Sequence, residues 1–163
     1  MRLIIFLLTF FLLQNASAQV IDSSFYNWTV YELQQDELDF KTCYIVARPI
    51  KTESDHNSRQ QPYIMITRYQ KDRSEEVSVF GGYEYKLNSK IFLMIDNKQF
   101  SLRTKDDTAW SETRQGDVAI INTLINSISA KVRSDSSVGT FGIDEYSLKG
   151  ITRAYARMRE ICE

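Results

Sequence analysis

Residues 146–162 read Y-S-L-K-G-I-T-R-A-Y-A-R-M-R-E-I-C. Ile151, Ala154, Tyr155, Met158, Ile161 and Cys162 recur at i, i+3, i+4, i+7, i+10 and i+11, which places them on one stripe of a helix. Ser147 stands where an N-cap is expected, and Arg157 and Arg159 lie near the end whose dipole favours cations. The stripe ends on a cysteine, and its one possible partner, Cys43, is more than a hundred residues upstream. The expectation is therefore a sheet laid down first, with an apolar helix packed on it and pinned near its tip.

The other end of the chain has a different character. Met1-Arg2 is followed by the nearly unbroken apolar run Leu3–Leu13, then by Gln14-Asn15 and Ala16-Ser17-Ala18. A cationic start, a short apolar core and small residues at −3 and −1 are the layout of a secretory signal. Its apolar core is too short to span a bilayer, which takes about 20 residues. Cleavage is expected between Ala18 and Gln19, leaving one mainly-β domain over 19–163. No second long apolar run follows, and no cysteine sits at the cut to carry a lipid.

Loss of Arg2 takes the net charge from −1 to −2. So balanced a chain offers no electrostatic footprint for nucleic acid and no polybasic patch for a membrane surface. An exported chain with two cysteines, Cys43 and Cys162, is most simply read as holding one disulfide.

Outward from the terminal helix, the chain alternates like a β protein. Strands are expected at Tyr26–Leu33, Phe40–Arg48, Pro62–Tyr69, Glu76–Phe80, Ile91–Ile95, Gln99–Arg103, Ala130–Ser134 and Val138–Ile143. Cys43, Ile45 and Ala47 fall on one face of the second. Gln34–Asp39 reads as a polar turn, Pro49–Gln61 as a mobile polar loop holding the single histidine, and Lys105–Gln115 as a loop. Gly81-Gly82 marks a bend, with Tyr83 and Tyr85 continuing extended, and Asp96-Asn97-Lys98 turns a hairpin. Val118, Ile121, Leu124, Ile125 and Ile128 switch to helical spacing, predicting a short helix over Asp117–Ser127. These elements imply a β-sandwich or partly open barrel with a short internal helix, a C-terminal helix and one disulfide.

Chemistry is harder to find. His56 sits among Ser54, Asp55 and Ser58, but neighbours in one polar loop cannot orient each other as a triad requires, so the segment reads as solvated loop. The pairs Glu75-Glu76, Asp106-Asp107 and Asp144-Glu145 put adjacent carboxylates on opposite sides of the chain and read as solvated turn residues. No zinc spacing, calcium loop, phosphate loop or dinucleotide fingerprint is present, and neither metal nor cofactor is expected. Tyr63, Tyr69, Tyr83 and Tyr85 with Arg48 and Arg68 form either a recognition face or ordinary cross-strand packing, the latter favoured. Asn27-Trp28-Thr29 fits a glycosylation acceptor in a eukaryotic secretory pathway alone.

Taken in order, several segments carry a family resemblance. They are Trp28, C-Y-I-V-A-R-P (43–49), P-Y-I-M-I-T-R (62–68), E-V-S-V-F-G-G-Y (76–83), I-D-N-K-Q-F-S-L (95–102), A-W (109–110), G-T (139–140) and Y-S-L-K-G-I-T-R-A (146–154). The chain resembles the invasion-associated locus B family of alphaproteobacterial exported proteins over Trp28 to Cys162. That resemblance implies a signal-bearing periplasmic or envelope protein, mainly β, with no established enzyme activity. Some members carry an extra cysteine pair after the central hairpin; Thr104–Trp110 has none here.

The resulting expectation is a non-catalytic binding or structural module, stapled from Cys43 to Cys162, whose partner is another envelope protein or a small ligand. The alternatives are a secreted factor promoting host-cell invasion and a periplasmic hydrolase.

Overall fold

The computed structural model describes residues 18–34 and 40–163. The predicted leader thus lies outside the described residues except for Ala18, and so does 35–39, most of the expected Gln34–Asp39 turn.

Eleven strands form one antiparallel sheet in the order β1-β2-β3-β5-β6-β9-β8-β7-β10-β11-β4. They are β1 (Ala18–Phe25), β2 (Trp28–Gln34), β3 (Thr42–Ala47), β4 (Lys51–Ser54), β5 (Tyr63–Tyr69) and β6 (Glu75–Phe80), then β7 (Lys90–Ile95), β8 (Lys98–Lys105), β9 (Thr108–Trp110), β10 (Ser129–Asp135) and β11 (Phe141–Ser147). The sheet curls without closing. The Trp28 indole N–H donates to the Ser147 carbonyl at 3.2 Å, tying the start of β2 to the end of β11, which stands near the opposite end of the strand order. Of the two expected architectures, one continuous sheet of this kind is the partly open barrel.

Alternation decides which side is filled. On β3, Cys43, Ile45 and Ala47 are buried while Thr42, Tyr44 and Val46 are half-covered, and β10 alternates the same way around Ala130, Val132 and Ser134. The concave face collects Trp28, Ile64, Ile66, Ile91, Leu93, Leu102 and Tyr146, all essentially inaccessible to solvent. Two helices, α1 (Arg114–Ile125) and α2 (Ile151–Ile161), pack into this concavity and against each other.

Helix α2 buries Ile151, Ala154 and Met158, with Tyr155 and Ile161 half-buried beside them, so the predicted stripe faces the core. Its start differs from the expectation. Ser147 ends β11, and the N-cap is Gly150, at φ +98 with no side-chain cap. The chain must turn within three residues of the strand, and a Cβ at Gly150 would come within 2.0 Å of the Phe25 carbonyl oxygen. Only glycine combines that close approach with a left-handed backbone.

Helix α1 begins three residues earlier than predicted. Thr113 caps it, accepting the Gly116 N–H at 3.0 Å. Its buried face is Asp117, Ile120, Ile121 and Leu124, whereas Val118 and Ile128 are exposed. The reason is Asp117, whose carboxylate accepts the Val77 N–H at 3.0 Å. Strand β9 pairs with Ser78–Phe80 and stops, leaving that donor of β6 beyond its reach. Satisfying it turns Asp117 inward and rotates the helix.

Three strands were not expected. β9 holds three residues, β4 is four exposed or half-exposed residues on the sheet edge, and β1 starts at Ala18, the last residue of the expected leader. β11 also begins at Phe141, leaving Val138 in an exposed turn. Tyr85 makes one isolated bridge to Ser136 in place of a continued strand.

Candidate functional site

Cys43 and Cys162 are bonded, with Cα atoms 6.0 Å apart, and both are fully buried. Arg68 stands opposite Cys43 across the β3–β5 pair. Its Nε donates to the Cys162 carbonyl at 3.3 Å and its Nη1 meets Glu75 at 2.7 Å. The second oxygen of Glu75 accepts the Tyr155 hydroxyl at 2.7 Å. Burial, followed by that bond to an anion, pushes the Tyr155 phenol up to about 12. The last turn of α2 is therefore held by the disulfide and by a saturated polar clamp beside it.

A second cluster lies under the 49–61 segment, and it overturns the reading of that segment as a mobile solvated loop. Ser54 Oγ donates to the Phe141 carbonyl at 2.8 Å, and Asp55 accepts the Phe141 N–H at 2.7 Å. His56 Nδ1 lies 2.6 Å from Thr140 Oγ1, its ring 4.9 Å from that of Tyr83. Neither Asp55 nor Ser58 engages the imidazole, so these neighbours do not assemble a triad; Ser58 occupies a turn at φ 60. From the same segment Arg59 reaches inward. It forms a bidentate pair with Asp144 at 2.9 and 2.6 Å, donates Nε to the Gly81 carbonyl at 2.7 Å and stacks over Tyr83. Its side chain is 7% exposed and that of Asp144 1%. Thr52 donates to the same carboxylate at 3.0 Å.

The carboxylate pairs thus separate. Asp144 and Glu75 are structural anions taken up by arginines, against the solvated-turn expectation, while Asp106 sits in the β8–β9 turn at φ 53. Glu145 pairs with Lys131 at the surface. Glu76 is half-covered near Asp117, and burial raises both carboxyls above their usual range.

The tyrosines do not converge into a recognition face. Tyr83 and Tyr85 are buried in the Arg59 cluster in an edge-to-face contact, Tyr83 donating toward Ser134. Tyr63 stacks on Phe80, which lies opposite it across β5–β6. Arg68 is committed to Glu75 and Arg48 lies exposed at the end of β3. Cross-strand packing, the favoured reading, accounts for Tyr63; Tyr83 and Tyr85 lie outside the strands as core of the Arg59 cluster, and Tyr69 stands exposed at the end of β5. Asn27 lies in the β1–β2 turn, next to the fully buried Trp28.

Beyond these self-satisfied clusters the surface carries several clefts, among them one of about 640 Å³ between Leu87–Lys90 and Arg103–Asp106 and one of about 630 Å³ between α1 and the β7–β8 hairpin. Ala119, Asn122, Thr123 and Asn126 form its helical wall at i, i+3, i+4 and i+7, next to the stripe that α1 buries. The opposite wall is the hairpin tip, Asp96-Asn97-Lys98, with Asp96 at φ 49. The half-buried Phe100 supplies apolar surface, while Ile95 is fully buried. Sequence reasoning named the hairpin but missed the cleft; the polar stripe of α1 was its one legible sign.

Among the described residues no three His, Cys, Asp or Glu side chains are placed to share a metal ion, and no helix is long and apolar enough to cross a membrane.

The family model described as "Invasion associated locus B (IalB) protein" matches residues 28–159. The chain belongs to this family, as the resemblance implied. No curated protein and no solved structure matches it.

Proposed function

We propose that this family member is a non-catalytic binding module of the bacterial envelope, exported through its N-terminal leader and working in the periplasm. The observation that carries the reading is the contrast between its polar groups. Arg59 with Asp144, and Arg68 with the half-buried Glu75 and Tyr155, are bonded to one another, the arrangement of clamps that hold strands and helix together. In the cleft between α1 and the β7–β8 hairpin, Thr123 and Asn126 bond back to their own helix, while the side chains of Asp96, Asn97, Lys98 and Asn122 take no hydrogen bond among the described residues. A concave site on a rigid sheet-and-helix frame, with polar groups uncommitted to the fold, is what ligand recognition uses.

The compartment is argued from chemistry. A disulfide spanning 119 residues persists in an oxidising space and not in a reducing cytosol, and the 1–18 segment has the layout of a cleaved signal. The test is fractionation of the native host, followed by co-sedimentation of the purified protein with isolated envelope fractions. A product beginning at Gln19, found in the periplasm and sedimenting with one fraction, is expected. Recovery on the outer cell surface would favour a factor acting on host cells. Turnover of a hydrolase substrate that disappears in an Asp144 or Glu75 variant that still folds would replace the reading with an enzyme.

A further inference from the structure

We infer that the edge of β8 beside the α1–hairpin cleft takes up an extended peptide segment of a partner protein as an added strand; this rests on the binding-module reading above. β9 pairs with β8 at Arg103–Lys105 alone, and the chain then turns at Thr113 into α1, so among the described residues no strand runs beside Lys98–Leu102. Two-residue turns close the hairpins at both ends of β8, at Ile95–Lys98 and Lys105–Thr108, and closing pairs of that kind exchange main-chain bonds. Alternation then points the N–H and C=O of Lys98, Phe100 and Leu102 at β7, and those of Gln99 and Ser101 into the vacant lane. Among the described residues nothing in the protein meets those four groups, and both residues are exposed. The early stop of β9 also orphans Val77 on β6, but there Asp117 accepts the N–H. β8 has no such substitute. Donors and acceptors repeating at every second residue are what the main chain of an added strand matches.

The outer edges of the sheet are blunted by comparison. β1 has a register break between Ile21 and Ser23, and β4 is four residues long with Lys51 and Glu53 exposed. β8 pairs with β7 from Lys98 to Arg103 without a break. Side chains around the lane select the segment. Taking the lane that β9 leaves, it runs antiparallel to β8. Its residue opposite Phe100 projects to the side where that half-buried ring and Ala119 of α1 line the cleft of about 630 Å³, and is apolar. Two residues further on, opposite Lys98, it meets an ammonium that has no ion pair among the described residues, and is acidic.

The ¹⁵N-labelled protein is titrated, to millimolar concentration, with the blocked pentapeptide Ser-Thr-Val-Thr-Glu and with copies N-methylated at the second, third or fourth residue. Antiparallel pairing sets its valine opposite Phe100 and its glutamate opposite Lys98. Binding should move the backbone amide signals of Gln99 and Ser101. Methylation at the second or fourth residue, whose N–H faces β8, should weaken binding by about tenfold. At the third, whose N–H faces away, affinity should be unchanged. Ser101→Pro removes a donor that faces the lane and no bond to β7, and should abolish binding at an unchanged melting temperature. Lys98→Glu, at an exposed position, should reverse the preference in favour of the peptide ending in lysine. Equal affinity for the three methylated peptides, or movement that spares Gln99 and Ser101, would overturn the inference. If no amide moves while the protein still sediments with an envelope fraction, the strand-edge assignment falls and the binding-module reading survives. If neither the peptide nor any envelope fraction is bound, both fall.

Discussion

Removing the Cys43–Cys162 bond should cost this protein a third or more of its stability margin, and in a pattern that identifies the cause. The bond closes 119 residues of chain. In the chain-entropy treatment a loop of that length restricts the unfolded ensemble by roughly 5 kcal/mol, against about 5–15 kcal/mol of total stability for a typical domain. The folded side changes less. Ile151, Ala154 and Met158 remain buried, and Arg68 still holds the Cys162 carbonyl and Glu75. The helix should therefore stay docked in the reduced protein at low temperature, with the loss appearing on unfolding. Cys43→Ala, Cys162→Ala and the double variant are compared by calorimetry and by urea titration followed through Trp28 and Trp110. Each single change should lower the melting temperature by about 15 °C, at roughly 3 °C per kcal/mol for a chain of this size. The double variant should be little worse than either, because both single changes remove one shared interaction. Full reduction of the native protein should reproduce the shift. Two small additive decrements, or native thiols that titrate, would refute the reasoning.

Arg59→Ala should destabilise by about 3–5 kcal/mol by stranding the Asp144 carboxylate, while Arg59→Met with Asp144→Leu should recover much of that loss in urea titrations. Gly150→Ala must place a methyl against the Phe25 carbonyl at a left-handed backbone position, and should cost about 3 kcal/mol or more by thermal melt. Burial holds the Asp117 carboxyl above its usual range, so its charge opposes folding once pH exceeds that raised value. Asp117→Asn keeps the acceptor for Val77 and should raise the melting temperature at pH 7; the gain should vanish as pH falls below the unfolded carboxylate value near about 4, which melts across pH 3–8 would check.

The sequence by itself determined the β class, most strand positions, the inward face of β3 and the buried stripe of α2. These depend on periods of two and 3.6 residues within one element, and the side chains that set them are neighbours in the chain. Cys43 and Cys162 were legible for a different reason: with two cysteines in the chain, only one pairing exists. Tertiary structure alone decided the rest. Asp117 turns inward because β9 stops short of Val77, so the face of α1 is set by a strand some forty residues away. Arg59 and Asp144 were indistinguishable from solvated charges until β4 docked on β11 and brought them together. The cleft, too, needs α1 to lie beside a hairpin tip with which it shares no local pattern. Local periodicity shows which side of an element is buried. What that side or its flank meets is set by long-range pairing, and this protein's clamps and cleft are all built that way.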